Sequence, residues 1–113
     1  MQITETREGG ALVAAPVGRI DSTTSAALEQ HLLGLLAAGE QRLVVDFDGV
    51  DYISSAGLRV MLTLAKRLRD MKGGLALCGM GESVRQVFEL AGFLPLFVIG
   101  ESRAEAMHKI MAS

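Results

Sequence analysis

Hydrophobic and polar positions switch between two periods along the chain, and glycines stand at most of the joints. Ile3 to Arg7 alternates weakly at period two, and Gly9-Gly10 then breaks it. That predicts a hairpin turn into a second strand over Ala11 to Ile20. Pro16 lies inside this strand and lacks a ladder donor, which predicts an edge position or a bulge there. Asp21-Ser22-Thr23-Thr24-Ser25 is a run of helix-capping residues. A helix is expected to follow to about Ala38, with Leu28, Leu32, Leu35 and Leu36 on one face and Gly39 ending it.

The second half repeats the alternation. Arg42 to Phe47 holds the apolar run Leu43-Val44-Val45, suited to a central buried strand. Asp48 to Ile53 reads as a loop leading into Ser54-Ser55-Ala56-Gly57. The spacing of Leu58, Met61, Leu62, Ala65 and Leu68 predicts a second helix to about Met71. After Gly73-Gly74, Leu75 to Cys78 is another short buried strand. Ser83 with Gln86 fits a capping box opening a third helix that ends near Gly92. Phe97 to Ile99 is a last strand, and Ser102 with Glu105 is a second capping box opening a C-terminal helix. Helices between strands imply crossover connections. The expectation is one α/β domain over residues 1–113 with four helices and a mostly parallel central sheet of about five strands, the N-terminal strand antiparallel.

Composition narrows the function classes. Of the 113 residues 50% are hydrophobic, enough for a packed core in a single domain. The net charge is -2, with acids and bases mixed, which argues against direct contact with nucleic acid. No apolar run approaches the roughly 18 residues of a membrane helix, so membrane insertion is not expected. Met1 to Glu5 lacks the basic-then-apolar form of a signal peptide, and a cytoplasmic location is the simplest expectation.

Enzyme signatures are thin. His31 and His108 lie inside helices without cysteine or acidic partners at metal-ligand spacing, and read as surface or boundary residues. Cys78, the only cysteine, falls in an apolar strand and reads as a small buried side chain rather than a reactive thiol. Gly79-Met80-Gly81-Glu82 precedes a helix but lacks the lysine and hydroxyl of a phosphate loop. Asp46, Asp48 and Asp51 fail the EF-hand spacing and are expected to be solvated loop carboxylates. No catalytic residue, metal or cofactor is predicted.

Asp51-Tyr52-Ile53-Ser54-Ser55-Ala56-Gly57-Leu58 stands out. One serine can cap the helix, which leaves the other unexplained. Gly57 early in a helix costs about 1 kcal/mol relative to alanine, so either close packing on the sheet or close approach of a partner is needed there. A phosphate brings about -1.5 to -2 charges, which free amides and the helix dipole would favour and an apposed protein surface would not.

This segment resembles the STAS family, and within it the bacterial anti-sigma-factor antagonists. Gly18-Arg19-Ile20-Asp21 matches the family's Gly-x-hydrophobic-Asp, and Val44-Val45-Asp46-Phe47 its central strand. Ser54-Ser55-Ala56-Gly57-Leu58 matches its Asp-Ser-Ser/Thr-Gly-Leu segment. Gly73-Gly74 before a strand and Val84 to Phe93 with its Ala91-Gly92-Phe93 ending also fit. The resemblance implies an antagonist that binds an anti-sigma factor of the GHKL serine-kinase type and releases the sigma factor. Phosphorylation then weakens the complex, and a PP2C-type phosphatase restores the serine. By position the acceptor is Ser55, with Ser54 a second candidate because it stands where the family carries aspartate. The expected partner-binding residues are Asp21, Ser54, Ser55, Ala56, Gly57 and Arg59, with Asp21 open to a second reading as N-cap of the first helix. The other function in view is a constitutive STAS scaffold that docks on a transporter ATPase or another assembly without phosphorylation.

Overall fold

A computed structural model describes residues 1–111. Strands β1 (Gln2–Glu8) and β2 (Ala11–Ile20) form the expected hairpin, turning through Gly9 at φ +60°. The chain continues through α1 (Ser25–Ala37), β3 (Arg42–Asp46), β4 (Val50–Ile53), α2 (Ser55–Asp70) and β5 (Gly74–Cys78). It ends with α3 (Glu82–Leu90), a 3-10 turn (Leu94–Leu96), β6 (Val98–Ile99) and α4 (Arg103–Met111). The sheet has six strands in the order β1-β2-β3-β5-β6, with β4 attached to β2. Only the β1–β2 pair is antiparallel; β3, β4, β5 and β6 join in parallel.

Strand β4 occupies residues expected to form a loop. It pairs with the far end of β2: Gly18, Arg19 and Ile20 lie opposite Val50, Tyr52 and Ile53, with a register shift between Gly18 and Arg19. The near end of β2, Leu12 to Ala14, pairs with Leu43 to Val45 of β3. Pro16 lies opposite Ile3 of β1 and falls between the two pairings on the other side, where β2 bonds neither β3 nor β4. The strand is therefore interior rather than at an edge, and the bulge sits two residues beyond the proline.

Alternation along the strands fills two cores. Leu12, Leu43, Val45 and Leu77 point to one face, where they meet Leu28 and Leu32 of α1, Met61 and Leu64 of α2, and Phe88 of α3. Val13, Val44, Ala76 and Cys78 point the other way, under Ala106 and Ile110 of α4. On α2 the buried stripe is rotated from the expected one: Val60 and Leu64 are buried, while Leu62 and Ala65 are only half-buried at its margin.

Two local expectations are corrected. The N-cap of α3 is Gly81, not Ser83; Ser83 lies inside the first turn, and its hydroxyl donates to the Asp51 carbonyl at 3.4 Å. Asp46 is not a solvated carboxylate. It is buried, and Arg103 Nε donates to its Oδ2 at 2.9 Å while the Asp48 amide donates to its Oδ1 at 3.0 Å. Arg103 also reaches Glu8 at 3.1 Å, so α4 is tied to both β3 and the hairpin. The Ser102 cap of α4 forms as expected, with the Glu105 amide donating to its hydroxyl at 3.1 Å.

Candidate functional site

The serine pair sits where β2 and β4 end side by side. The Ser54 amide donates to the Ile20 carbonyl at 2.8 Å, continuing the β2–β4 ladder by one bond. Ser54 is extended (φ -96°, ψ 174°) and is the N-cap of α2. Its hydroxyl accepts from the Gly57 amide at 3.4 Å, and its carbonyl accepts from the Leu58 amide at 3.0 Å. Ser55 is the first helical residue, its side chain exposed and its hydroxyl without a hydrogen-bond partner among the described residues. The two hydroxyls thus differ in role: one closes the helix, the other is available.

The remaining predicted residues divide. Arg59 is exposed one turn beyond Ser55, on the same side of α2, and Ala56 is half-buried beside it. Gly57 is buried and turned inward. A Cβ there would lie 2.6 Å from Ile20 Cγ2 and 2.7 Å from Ile53 Cγ1, so the close approach that requires glycine is that of the helix to its own sheet. Asp21 follows Ile20 directly and shares this rim. It does not cap α1, whose N-cap is Thr24. Its carboxylate instead accepts from the Thr23 hydroxyl at 2.6 Å and the Thr23 amide at 2.9 Å, holding the turn before the helix. Those two bonds, the hydroxyl foremost, hold the Asp21 carboxyl below its ordinary pKa.

Two residues of the rim escaped prediction. The Arg19 guanidinium lies 4.2 Å from the centre of the Tyr52 ring, and Arg19 Nε is 3.6 Å from Asp21. Both side chains are exposed. Their juxtaposition depends on the Arg19–Tyr52 register of a strand read as loop.

The end of α2 itself favours an added anion. The first turn of α2 carries no acidic side chain, and its last turn carries Arg67 and Arg69, so nothing on the helix neutralises the positive end of the dipole. A groove of about 540 Å³ runs from the turn between α1 and α2, past Ala56, Arg59 and Glu29.

The profile of the STAS domain matches residues 2–106. The chain belongs to the STAS domain family. BtrV of Bordetella bronchiseptica, named as an anti-sigma factor antagonist, is 43% identical over 106 residues, covering 94% of this chain and 91% of BtrV. The crystal structure of an anti-sigma factor antagonist from Mycobacterium paratuberculosis superposes with a TM-score of 0.89 at 24% identity, covering 97% of this STAS domain and 93% of that chain. The unphosphorylated form of SpoIIAA superposes with a TM-score of 0.81 at 17% identity, covering 99% and 98%. These superpositions show that the STAS fold extends over the whole domain. No helix among the described residues is long and apolar enough to cross a membrane.

Proposed function

We propose that this STAS domain is an anti-sigma-factor antagonist working by partner switching. Unphosphorylated, it binds an anti-sigma factor of the GHKL serine-kinase type through the rim formed by Asp21, Ser54, Ser55, Ala56 and Arg59, freeing a sigma factor for transcription. The kinase transfers the γ-phosphoryl of ATP to the Ser55 oxygen, the hydroxyl proton leaves, and ADP is released. A PP2C-type phosphatase hydrolyses the ester and returns the serine. The domain acts in the cytoplasm through proteins, without contacting nucleic acid or entering a membrane.

The observation that carries this reading is the free, exposed Ser55 hydroxyl at the first position of α2 beside a neighbour already used as cap. The antagonist name of BtrV, over nearly the same length, points the same way. A phosphoserine here keeps the fold, because the first-turn amides and the dipole favour its charge. It opposes binding, because a dianion must lose its water to enter an interface. No side chain among the described residues is hydrogen-bonded to the Ser55 hydroxyl as a general base, which favours a role as substrate over one as nucleophile.

A constitutive scaffold would be favoured by serine in place of the family's aspartate at position 54. Both residues are preferred N-caps, so the exchange keeps the helix closed and gives that reading no particular support. Incubation with ATP and the cognate anti-sigma kinase, followed by mass spectrometry, tests the proposal. Phosphate is expected on Ser55, lost in Ser55→Ala and retained in Ser54→Ala. Ser55→Asp should weaken the complex with the kinase. If Ser55→Asp and Ser55→Ala both bind like wild type, the domain is a constitutive scaffold.

A further inference from the structure

The chain is acidic overall, yet five of its 11 basic residues (Arg59, Lys66, Arg67, Arg69 and Lys72) fall between positions 55 and 73. The same stretch contains only Asp70 among 13 acidic residues. Asp70 approaches Arg69 at 3.7 Å, with both side chains more than two-thirds in solvent, so it offsets little of that charge. The STAS core does not use these cations: Lys66, Arg69 and Lys72 are exposed.

They rim a groove of about 590 Å³ on the side of α2 away from α1. Its floor and walls are apolar: Leu62, Ala65, Leu75, Phe97, Leu96 and Val98. Leu96 is 56% exposed and Val98 42%, high values for such side chains. Strand β6 pairs with β5 only at Ala76 and Leu77. Leu75 therefore lines the groove beyond the end of the β5–β6 pairing, whereas the Gly74 amide already donates to the Gln41 carbonyl at 2.8 Å.

We propose that this groove is a second docking site, for an acidic peptide segment of a partner protein that alternates carboxylates with apolar side chains. Each of its features has a counterpart in such a segment. The cationic rim meets carboxylates, the apolar lining receives side chains, and the end of the β5 edge at Leu75 offers backbone to an extended chain. A bilayer fits less well, since the apolar side chains line a groove rather than a flat face and lipid has no backbone to pair with the strand. The groove begins at Leu62, about 10 Å along the helix axis from Ser55, and its rim at Arg69 lies about 20 Å from it. It shares only Leu62 and Lys66 with the groove that runs from the serine turn.

The test uses isotope-labelled protein and a fluorescein-labelled hexapeptide alternating glutamate with leucine. Controls are a lysine–leucine peptide and phosphatidylglycerol vesicles. The acidic peptide is expected to shift the amide signals of Leu62, Lys66, Leu75 and Val98 and leave those of Ser54 and Ser55 in place. Arg69→Glu/Lys72→Glu and, separately, Leu96→Asp should each weaken binding about tenfold or more. Ser55→Asp should bind the peptide like wild type even if phosphorylation at Ser55 proves wrong, so the two proposals fail separately. Three results overturn the site: equal binding of the lysine–leucine peptide, shifts that miss the groove or are absent up to about 1 mM peptide, or vesicle binding lost in the charge variant without peptide binding.

Discussion

Arg103 Nε donates to Asp46 Oδ2 at 2.9 Å, joining the C-terminal helix to the end of the central strand across 57 residues of chain. Asp46 is 8% exposed, so removing its partner leaves a carboxylate without charge compensation in the core. Arg103→Ala is expected to lower stability by about 2 kcal/mol or more. Chemical denaturation reads this as a fall in the midpoint, and an unchanged midpoint would contradict the role given to the pair.

Gly57 sets up the opposite kind of test. Alanine is intrinsically better in a helix by about 1 kcal/mol. Here its methyl would fall 2.6 Å from Ile20 and 2.7 Å from Ile53. Overpacking of that kind costs roughly 1–3 kcal/mol, so Gly57→Ala should be neutral to destabilising rather than stabilising. Thermal unfolding gives the sign.

The two serines should separate by stability alone. Ser54→Ala removes the cap that accepts from Gly57 and should cost about 1 kcal/mol. Ser55→Ala should stay within about 0.5 kcal/mol of wild type, as an exposed substitution. Ser54→Asp keeps an N-cap and places a negative charge at the positive end of α2, so it should match or exceed wild type. Parallel melting curves of the three variants test the assignment of cap and free hydroxyl.

Cys78 should be inert in the folded protein. Burial first, then the Asp46 carboxylate, push its thiol up to about 12. The ordinary value is 9.0, so the thiolate forms more readily in the unfolded chain than in the folded one. The resulting stability is fully present below pH 9 and is lost as pH rises toward about 12. Native protein at pH about 8 should resist a thiol reagent that labels it fully in denaturant, and Cys78→Ala should show a shallower alkaline loss of stability.

Much of the architecture was legible because the signals are local. Leu28, Leu32 and Leu36 at helical spacing lie on the core side of α1, and Gly9-Gly10 makes the hairpin. Strand β4 was not legible. Its four residues bury only Val50 and Ile53 at the ends, leaving Asp51 and Tyr52 exposed, which is neither alternation nor an apolar run. The burial of Asp46 depends on an arginine far along the chain, and no local pattern announces it. At the candidate site, the serine pair was visible from composition and spacing. Which serine caps the helix was not, because that depends on the backbone angles of Ser54. The neighbourhood of Arg19 and Tyr52 stayed hidden with the strand that creates it.

The changeover at Pro16 divides the sheet into two panels that share β2 as a spine. One panel, β3 with β5, carries the bulk of both cores. The other, β4, carries the Ser54 turn and is hydrogen-bonded to the spine only beyond the proline. Val50 and Ile53 of the second panel are buried in the same core as Leu43, Val45 and Leu77 of the first, so packing rather than a shared ladder holds the two together. The exposure of Ser55 therefore comes from its place at the rim of α2 and needs no opening of the sheet beneath it.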